Sequence, residues 1–138
     1  MNKDFCRNND LGLLVLRVSL GGLMLFHGIH KLVFGVGFIG DMLSGMGLPS
    51  FLAYGALLCE FVAPIMLIAG LWTRAAAAAM VANMIVAILM VHLPGFFALD
   101  AMTGAWTVEL PALYMLGALA LCFTGGGKYA ATRGGLLS

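Results

Sequence analysis

The stretch from Leu11 to Phe34 decides the fold, and it reads LGLLVLRVSLGGLMLFHGIHKLVF. A helix needs about 20 mostly apolar residues to cross the hydrocarbon core of a bilayer, and this stretch meets that length. Three further apolar stretches follow, at about residues 51–71, 75–93 and 107–123. The sequence therefore predicts an all-α membrane protein in which four transmembrane helices form an antiparallel bundle. A single domain is expected to cover residues 1–138.

Composition agrees with a membrane environment. Hydrophobic residues make up 62% of the chain, charged residues only 9%, and the mean hydropathy is +1.05. Because about a quarter of the residues in soluble domains are charged, the lipid bilayer is the expected solvent for much of this surface. The net charge of +1 and the lack of a basic run exclude a nucleic-acid partner. Three cysteines without a C-x-x-C pair do not predict thiol–disulfide chemistry.

The first apolar stretch is expected to be retained rather than cleaved. Lys3 and Arg7 precede it, as basic residues do in a secretory signal. However, Arg17 interrupts the stretch, and no small-residue cleavage site follows it. We therefore interpret it as the first transmembrane helix.

The connections between the spans predict their orientation. Glycine and proline residues separate the first two spans and the last two, whereas Trp72, Thr73 and Arg74 alone join the second to the third. Positive residues concentrate at the N-terminus, the second connection and the C-terminus: Lys3, Arg7, Arg74, Lys128 and Arg133. By the positive-inside rule, both termini are expected to be cytoplasmic (N-in, C-in), in a bacterial inner membrane.

Polar side chains within the predicted helices mark the candidate site, because such groups are costly at membrane depth and usually face the bundle interior. They are Arg17, His27, His30, Lys31, Glu60, Asn83, His92 and Glu109. At 100° per residue, Arg17, His27 and Lys31 lie within about 80° of one another on the first helix. One face of that helix therefore carries a column of basic groups.

Glu60 is the deepest acid, and Pro64 follows it by four positions. Proline cannot donate a hydrogen bond to the carbonyl four residues earlier, and its ring clashes with that carbonyl. A kink is therefore expected here, with a buried carboxylate and a freed backbone carbonyl in the same turn. Either Arg17 or the turn around His27 is the expected partner of Glu60.

Glu109 is expected at the level of His92, His30 and Lys31, in a second and shallower polar layer. Both groups of polar residues could instead have a structural role. A buried Arg17–Glu60 pair can set the registry of two helices, and Lys31 and His92 can extend to the membrane–water interface. His27, His30, His92 and Glu109 have the chemistry of metal ligands, but no compact motif groups them, so no metal site is predicted. On the third helix, small side chains recur every four residues and predict close helix packing: Ala75, Ala79, Asn83 and Ala87.

Three short stretches resemble the DoxX family of small bacterial membrane proteins. They are RVSLGGLMLFHGIHKL from Arg17, EFVAPIMLIAGLWTRA from Glu60, and Glu109 with the later run Gly125-Gly126-Gly127-Lys128-Tyr129. The resemblance implies a four-helix membrane bundle and a redox role, because the family looks like the small subunits of thiosulfate:quinone oxidoreductases. Other members are associated with quinone, catechol or oxidative-stress responses. By this analogy, Arg17, His27, Lys31, Glu60 and Glu109 are the functional polar positions.

The leading hypothesis is a quinone-interacting membrane subunit of a redox or oxidative-stress system. An apolar pocket with hydrogen-bond donors and a proton route suits a quinone head group. The sequence has no haem, flavin or iron–sulfur motif, so no intrinsic cofactor is expected and a redox partner protein would supply electrons. Such a chain would be a non-autonomous subunit rather than a complete enzyme. The alternatives are a small proton-linked transporter that works as a homo-oligomer, and a membrane anchor for a soluble partner.

Overall fold

The computed structural model describes residues 8–138. These residues form five helices: α1 (Asn9–Phe34), α2 (Gly37–Gly45), α3 (Ser50–Ala69), α4 (Thr73–Gly95) and α5 (Glu109–Thr124). No strand occurs between residues 8 and 138, where the β-structure is one isolated bridge between Leu99 and Trp106. Lys3, Cys6 and Arg7 lie outside the described residues.

Three of the helices, α1, α3 and α4, are long and apolar enough to cross a membrane. They cover the first three predicted spans. Helix α5 is also apolar, but its 16 residues make it shorter than the other three. The all-helical membrane architecture is therefore confirmed, whereas a fourth crossing and the orientation in the membrane stay predictions.

The helices pack in two main pairs, α1 against α3 and α4 against α5. Their shared core contains Met24, Leu67, Met80, Ala118 and Leu121, all of them almost completely buried. On α4 the buried row consists of Thr73, Ala76, Ala77, Met80 and Met84. The small residues predicted to form the packing ridge, Ala75, Ala79, Asn83 and Ala87, lie half-buried beside that row. The four-residue spacing of small side chains therefore predicted a packed face on α4, but the buried face is centred about one residue further along the chain.

Helix α2 lies in a segment where glycine and proline suggested only a connection. Gly35 and Gly47 do end helical structure, with φ angles of 83° and 76°. Gly37, Gly40 and Gly45, in contrast, are part of α2. Gly40 is buried, and a Cβ added there would meet Ser50 at 3.5 Å. Gly40 is therefore a helix residue that packs beside the start of α3, and it does not form the turn that its sequence context suggested.

Both α3 and α4 contain a π-helical turn, at Leu58–Val62 and at Ile88–His92. In α3 the cause is Pro64, which has no N–H to bond the carbonyl of Glu60. The backbone N–H of Ala63 instead donates to the carbonyl of Leu58, five residues earlier. A widened, π-helical turn is therefore present at the position where the sequence predicted a kink.

The loop between α4 and α5 is held by its own polar groups. The carboxylate of Asp100 accepts hydrogen bonds from the N–H and hydroxyl of Thr103, at 2.8 and 2.9 Å, and from the N–H of Met102 at 3.0 Å. These hydrogen bonds, led by the one from the Thr103 N–H, hold the pKa of Asp100 below its ordinary value. Trp106 also donates its ring N–H to the carbonyl of Phe96, which ties the two sides of the loop together.

Candidate functional site

Glu60 is the centre of the candidate site. Its side chain is almost fully buried, and one carboxylate oxygen pairs with the ammonium group of Lys31. The other carboxylate oxygen accepts a hydrogen bond of 2.9 Å from the side-chain amide of Asn83. No second ion pair occurs within residues 8–138. One carboxylate therefore links α1, α3 and α4.

The close approach of α1 to α3 at this point depends on Gly28. A Cβ added to Gly28 would lie 2.0 Å from the carbonyl oxygen of Glu60 and 2.5 Å from its carbonyl carbon. The carbonyl that Pro64 leaves without its helical partner therefore faces the bare backbone of α1. This packing brings Lys31, less than one turn beyond Gly28, within reach of Glu60.

A cavity of about 210 Å³ opens beside the ion pair, and we call it the Lys31 cavity. Helices α1, α3, α4 and α5 all contribute to its lining: Met24, His27, Lys31, Glu60, Met84, Ala87, His92, Leu110, Pro111 and Tyr114. Apolar walls thus surround a few polar groups, as in sites for small organic molecules. The volume is below the range typical of drug-sized ligands and corresponds to a single substituted ring.

A second cavity of about 190 Å³ lies on the other side of the ion pair and shares Lys31, Glu60 and Ala87 with the first. It continues into a groove of about 450 Å³, which we call the apolar groove. The groove is lined by Ile39, Leu43, Leu48, Leu52, Gly55, Ala56, Cys59, Ala82, Asn83, Val86, Leu89 and Met90. Shared lining residues therefore connect the apolar groove, the second cavity and the Lys31 cavity in sequence.

The three histidines have different positions. His27 lines the Lys31 cavity and packs edge-on against the ring of Tyr114, with centroids 6.1 Å apart. His92 lines the same cavity, and its Nδ1 donates to the carbonyl of Ala87 at 3.3 Å. When that ring is neutral, its Nε2 is an acceptor. His30 is exposed, packs against Phe34 with centroids 4.6 Å apart, and does not line the cavity.

Arg17 lies elsewhere and is not the partner of Glu60. Its side chain is 1% exposed, and its guanidinium donates hydrogen bonds to three backbone carbonyls. These belong to Leu67 at 3.0 Å, Ile68 at 2.7 Å and Tyr129 at 2.5 Å. The first two carbonyls are at the C-terminal end of α3, where the helix dipole favours a cation. Arg17 therefore joins α1 to the end of α3 and to the segment that follows α5.

Glu109 is exposed at the start of α5 and accepts a hydrogen bond of 3.2 Å from the backbone N–H of Trp106. It does not line the Lys31 cavity. The predicted outer polar layer is thus divided, with Lys31 and His92 at the cavity and Glu109 and His30 outside it. No group of three or more potential metal ligands is found in the described part of the chain.

Two residues of the site were not expected from the sequence. Tyr114 is buried on α5 and lines the cavity. Its hydroxyl group within an apolar helix could have indicated a buried polar contact from the sequence. The role of Gly28 could not be predicted from the sequence, because glycine is frequent in transmembrane helices whether or not it forms a helix contact.

Comparison with known proteins identifies the family to which this chain belongs. The sequence profile of the DoxX family matches residues 12–93. The chain is 32% identical to the protein named "Putative oxidoreductase CatD" from Bacillus subtilis (strain 168) over 125 aligned residues. The alignment covers 91% of this chain and 84% of that protein. No solved structure gives a significant match. The chain is a membrane protein that belongs to the DoxX family, as its sequence motifs predicted.

Proposed function

We propose that this protein binds a quinone at the Lys31 cavity and acts as a membrane subunit of a quinone-linked oxidoreductase. The observation that carries the proposal is the cluster of Lys31 and Asn83 around the buried Glu60, which lies between two cavities that continue into an apolar groove. The similarity to a protein named as an oxidoreductase supports the redox class.

The residues of the cavity fit a quinone ring. A quinone presents two carbonyl oxygens, which need hydrogen-bond donors, on a flat apolar ring. Lys31 has ammonium protons beyond the one directed to Glu60, and the hydroxyl of Tyr114 and a ring N–H of His27 are further donors at the cavity. Met24 and Met84 supply deformable apolar walls.

The apolar groove fits a hydrocarbon tail. Its lining is apolar except for Asn83 and Cys59, and it reaches the ion pair through the second cavity. A ligand with a polar head and a long tail could therefore place its head at Lys31 while its tail follows the groove.

Reduction of a bound quinone to quinol takes up two electrons and two protons. In this proposal a partner protein supplies the electrons. Lys31 donates one proton from Nζ to the ring oxygen beside it, and the ion pair with Glu60 holds the ammonium group in place for that transfer. His27 or Tyr114, which also line the cavity, donates the second proton to the other ring oxygen, and water then reprotonates both donors. Asn83 fixes the orientation of the Glu60 carboxylate by its hydrogen bond.

The test is equilibrium binding of a short-tailed benzoquinone to the purified protein in detergent. Glu60→Gln is expected to weaken binding roughly tenfold to hundredfold, because a hydrogen bond to a charged group contributes about 1.5–3 kcal/mol. Glu109→Gln is the matched control, since it makes the same chemical change outside the cavity and is expected to bind like wild type. Equal affinity in all three proteins would overturn the proposal.

A second function, proton-linked transport, is favoured by one observation. The Lys31–Glu60 pair lines both cavities, and Glu60 lies in a π-helical turn. A transporter that exposes one carboxylate first to one cavity and then to the other would need such an arrangement. Flux of protons or organic substrate in proteoliposomes, abolished by Glu60→Gln and kept by Glu109→Gln, would support this function.

A further inference from the structure

A separate polar cavity of about 380 Å³ lies near the start of α1 and the end of α5, and we call it the terminal cavity. It is lined by Asp10, Arg74, Thr124, Gly125, Gly126, Gly127, Lys128, Thr132, Arg133, Gly134, Gly135 and Ser138. The proposed quinone site does not involve this cavity, because the two share no lining residue.

The segment after α5 is folded onto the helix ends, so the cavity has fixed walls. The hydroxyl of Thr132 accepts from the N–H of Trp72 at 2.7 Å and donates to the carbonyl of Gly70 at 3.2 Å. The N–H of Arg74 donates to the carbonyl of Leu137 at 3.1 Å. The N–H of Lys128 donates to the carboxylate of Asp10 at 2.9 Å. These bonds connect the segment to α1, to the α3–α4 connection and to the first turn of α4.

Among residues 8–138, the side chains that line the terminal cavity carry an excess of positive charge. Three of the seven Lys and Arg residues line it, namely Arg74, Lys128 and Arg133, and none of them makes an ion pair with another described residue. Asp10 is engaged with a backbone N–H, and even with the α-carboxylate of Ser138 counted, the cations are in excess by one. The buried Nε of Arg74 has no hydrogen-bond partner within residues 8–138. An anionic ligand would meet these unfilled donors.

Exposed apolar side chains adjoin this charge. Tyr129 is next to Lys128, Trp72 is two residues before Arg74, and Leu136 and Leu137 precede Ser138. All four are largely exposed, Leu136 by 86%. Aromatic and leucine side chains beside basic residues are typical of the boundary between lipid head groups and acyl chains. The arrangement would place acyl chains outside the cavity and a head group within it.

We propose that the terminal cavity binds a phosphate group, and that its apolar surroundings favour the head group of an anionic phospholipid over a soluble phosphate. Guanidinium and ammonium groups are the usual protein partners of phosphate oxygens.

The test compares the full-length chain with Lys128→Gln/Arg133→Gln by native mass spectrometry in detergent, with phosphatidylglycerol, phosphatidylcholine or inorganic phosphate added. Wild type is expected to bind phosphatidylglycerol in preference to phosphatidylcholine. The double variant is expected to lose about 30-fold in affinity for phosphatidylglycerol, since each cation near an anionic lipid contributes roughly fivefold. Both side chains are exposed and make no ion pair with a described residue, so the thermal unfolding midpoint should stay at the wild-type value.

Lys128→Arg/Arg133→Lys is the matched control, because it keeps both charges, and it should bind phosphatidylglycerol within a fewfold of wild type. Displacement of phosphatidylglycerol by inorganic phosphate, dependent on the same two side chains, would support a phosphate site with a soluble source. Equal phosphatidylglycerol affinity in wild type and the Gln variant would overturn the proposal. So would the absence of both a lipid preference and phosphate competition.

Discussion

Arg17 and Glu60 are the fully buried charged side chains of residues 8–138, and they are stabilised in different ways. Glu60 pairs with a cation and an amide, whereas Arg17 is surrounded by backbone carbonyls. The three carbonyls belong to the backbone, and Arg17 lines none of the cavities described above. The Glu60 cluster, in contrast, lines two cavities and can exchange a hydrogen bond with a bound molecule.

Arg17→Met is expected to destabilise the protein by about 3 kcal/mol or more, because it leaves three carbonyls without their donor. Arg17→Lys keeps the charge but lacks the forked guanidinium, so its loss should be intermediate. Thermal unfolding in detergent measures both. A wild-type midpoint for Arg17→Met would contradict the structural role assigned to Arg17.

The sequence could predict which residues are polar in an apolar helix, but not which of them meet. Arg17, His27 and Lys31 share one face of α1, and the choice among them as partner of Glu60 depends on how far α3 is shifted along α1. That shift is set by the contact of Gly28 with the Glu60 carbonyl, which is a property of two helices together. No pattern within either helix contains it.

At the scale of the elements, the glycines of α1 separate into those that pack and those that do not. Gly28→Ala is expected to destabilise the protein by roughly 1–3 kcal/mol or more, because the new methyl would collide with the α3 backbone. Gly22→Ala is the matched control on the same helix. Its Cβ would meet nothing within 4 Å, so a gain of up to about 1 kcal/mol is expected from helix propensity. Equal unfolding midpoints for the two variants would show that α1 and α3 do not approach at Gly28.

The apolar groove makes a prediction about ligand tails. Ala82 is exposed and lines the groove, so Ala82→Trp should fill it. The affinity for a long-tailed quinone should fall at least about tenfold, since two buried CH₂ groups are already worth about 1.6 kcal/mol. The affinity for a short-tailed quinone should not change.

Ala78→Trp, one turn earlier on the same exposed face of α4 and outside the groove, is the control, and it should bind both quinones like wild type. Loss of short-tailed and long-tailed binding alike in Ala82→Trp would mean that the groove is not the tail site.

Elements differed in how well the sequence predicted them. The spans follow from length and hydropathy, which is why α1, α3 and α4 were expected. Helix α2 was missed because its glycines indicate turns in isolation, whereas in the fold Gly40 packs against Ser50. The irregular turn at Glu60 could be predicted, since its cause is the local chemistry of Pro64.

At the scale of the whole molecule, the charges predict the orientation in the membrane. In a variant without native cysteines, single cysteines at Asp41, Asp100 and Ser138 can be tested with a membrane-impermeant maleimide in intact cells. Labelling is expected at positions 41 and 100 and not at 138, because Arg74, Lys128 and Arg133 would hold their end of the bundle in the cytoplasm. Labelling at 138, or on both sides of α5, would contradict the four-span arrangement with cytoplasmic termini.

The measurement that tests the central claim most directly is the quinone content of the protein purified from its membrane, by solvent extraction and mass spectrometry. Wild type and Glu109→Gln are expected to carry quinone in stoichiometric amounts. Glu60→Gln and Lys31→Gln are expected to have lost it while they remain folded. Quinone absent from all four proteins, or equally present in all four, would contradict a quinone site at the Lys31–Glu60 pair.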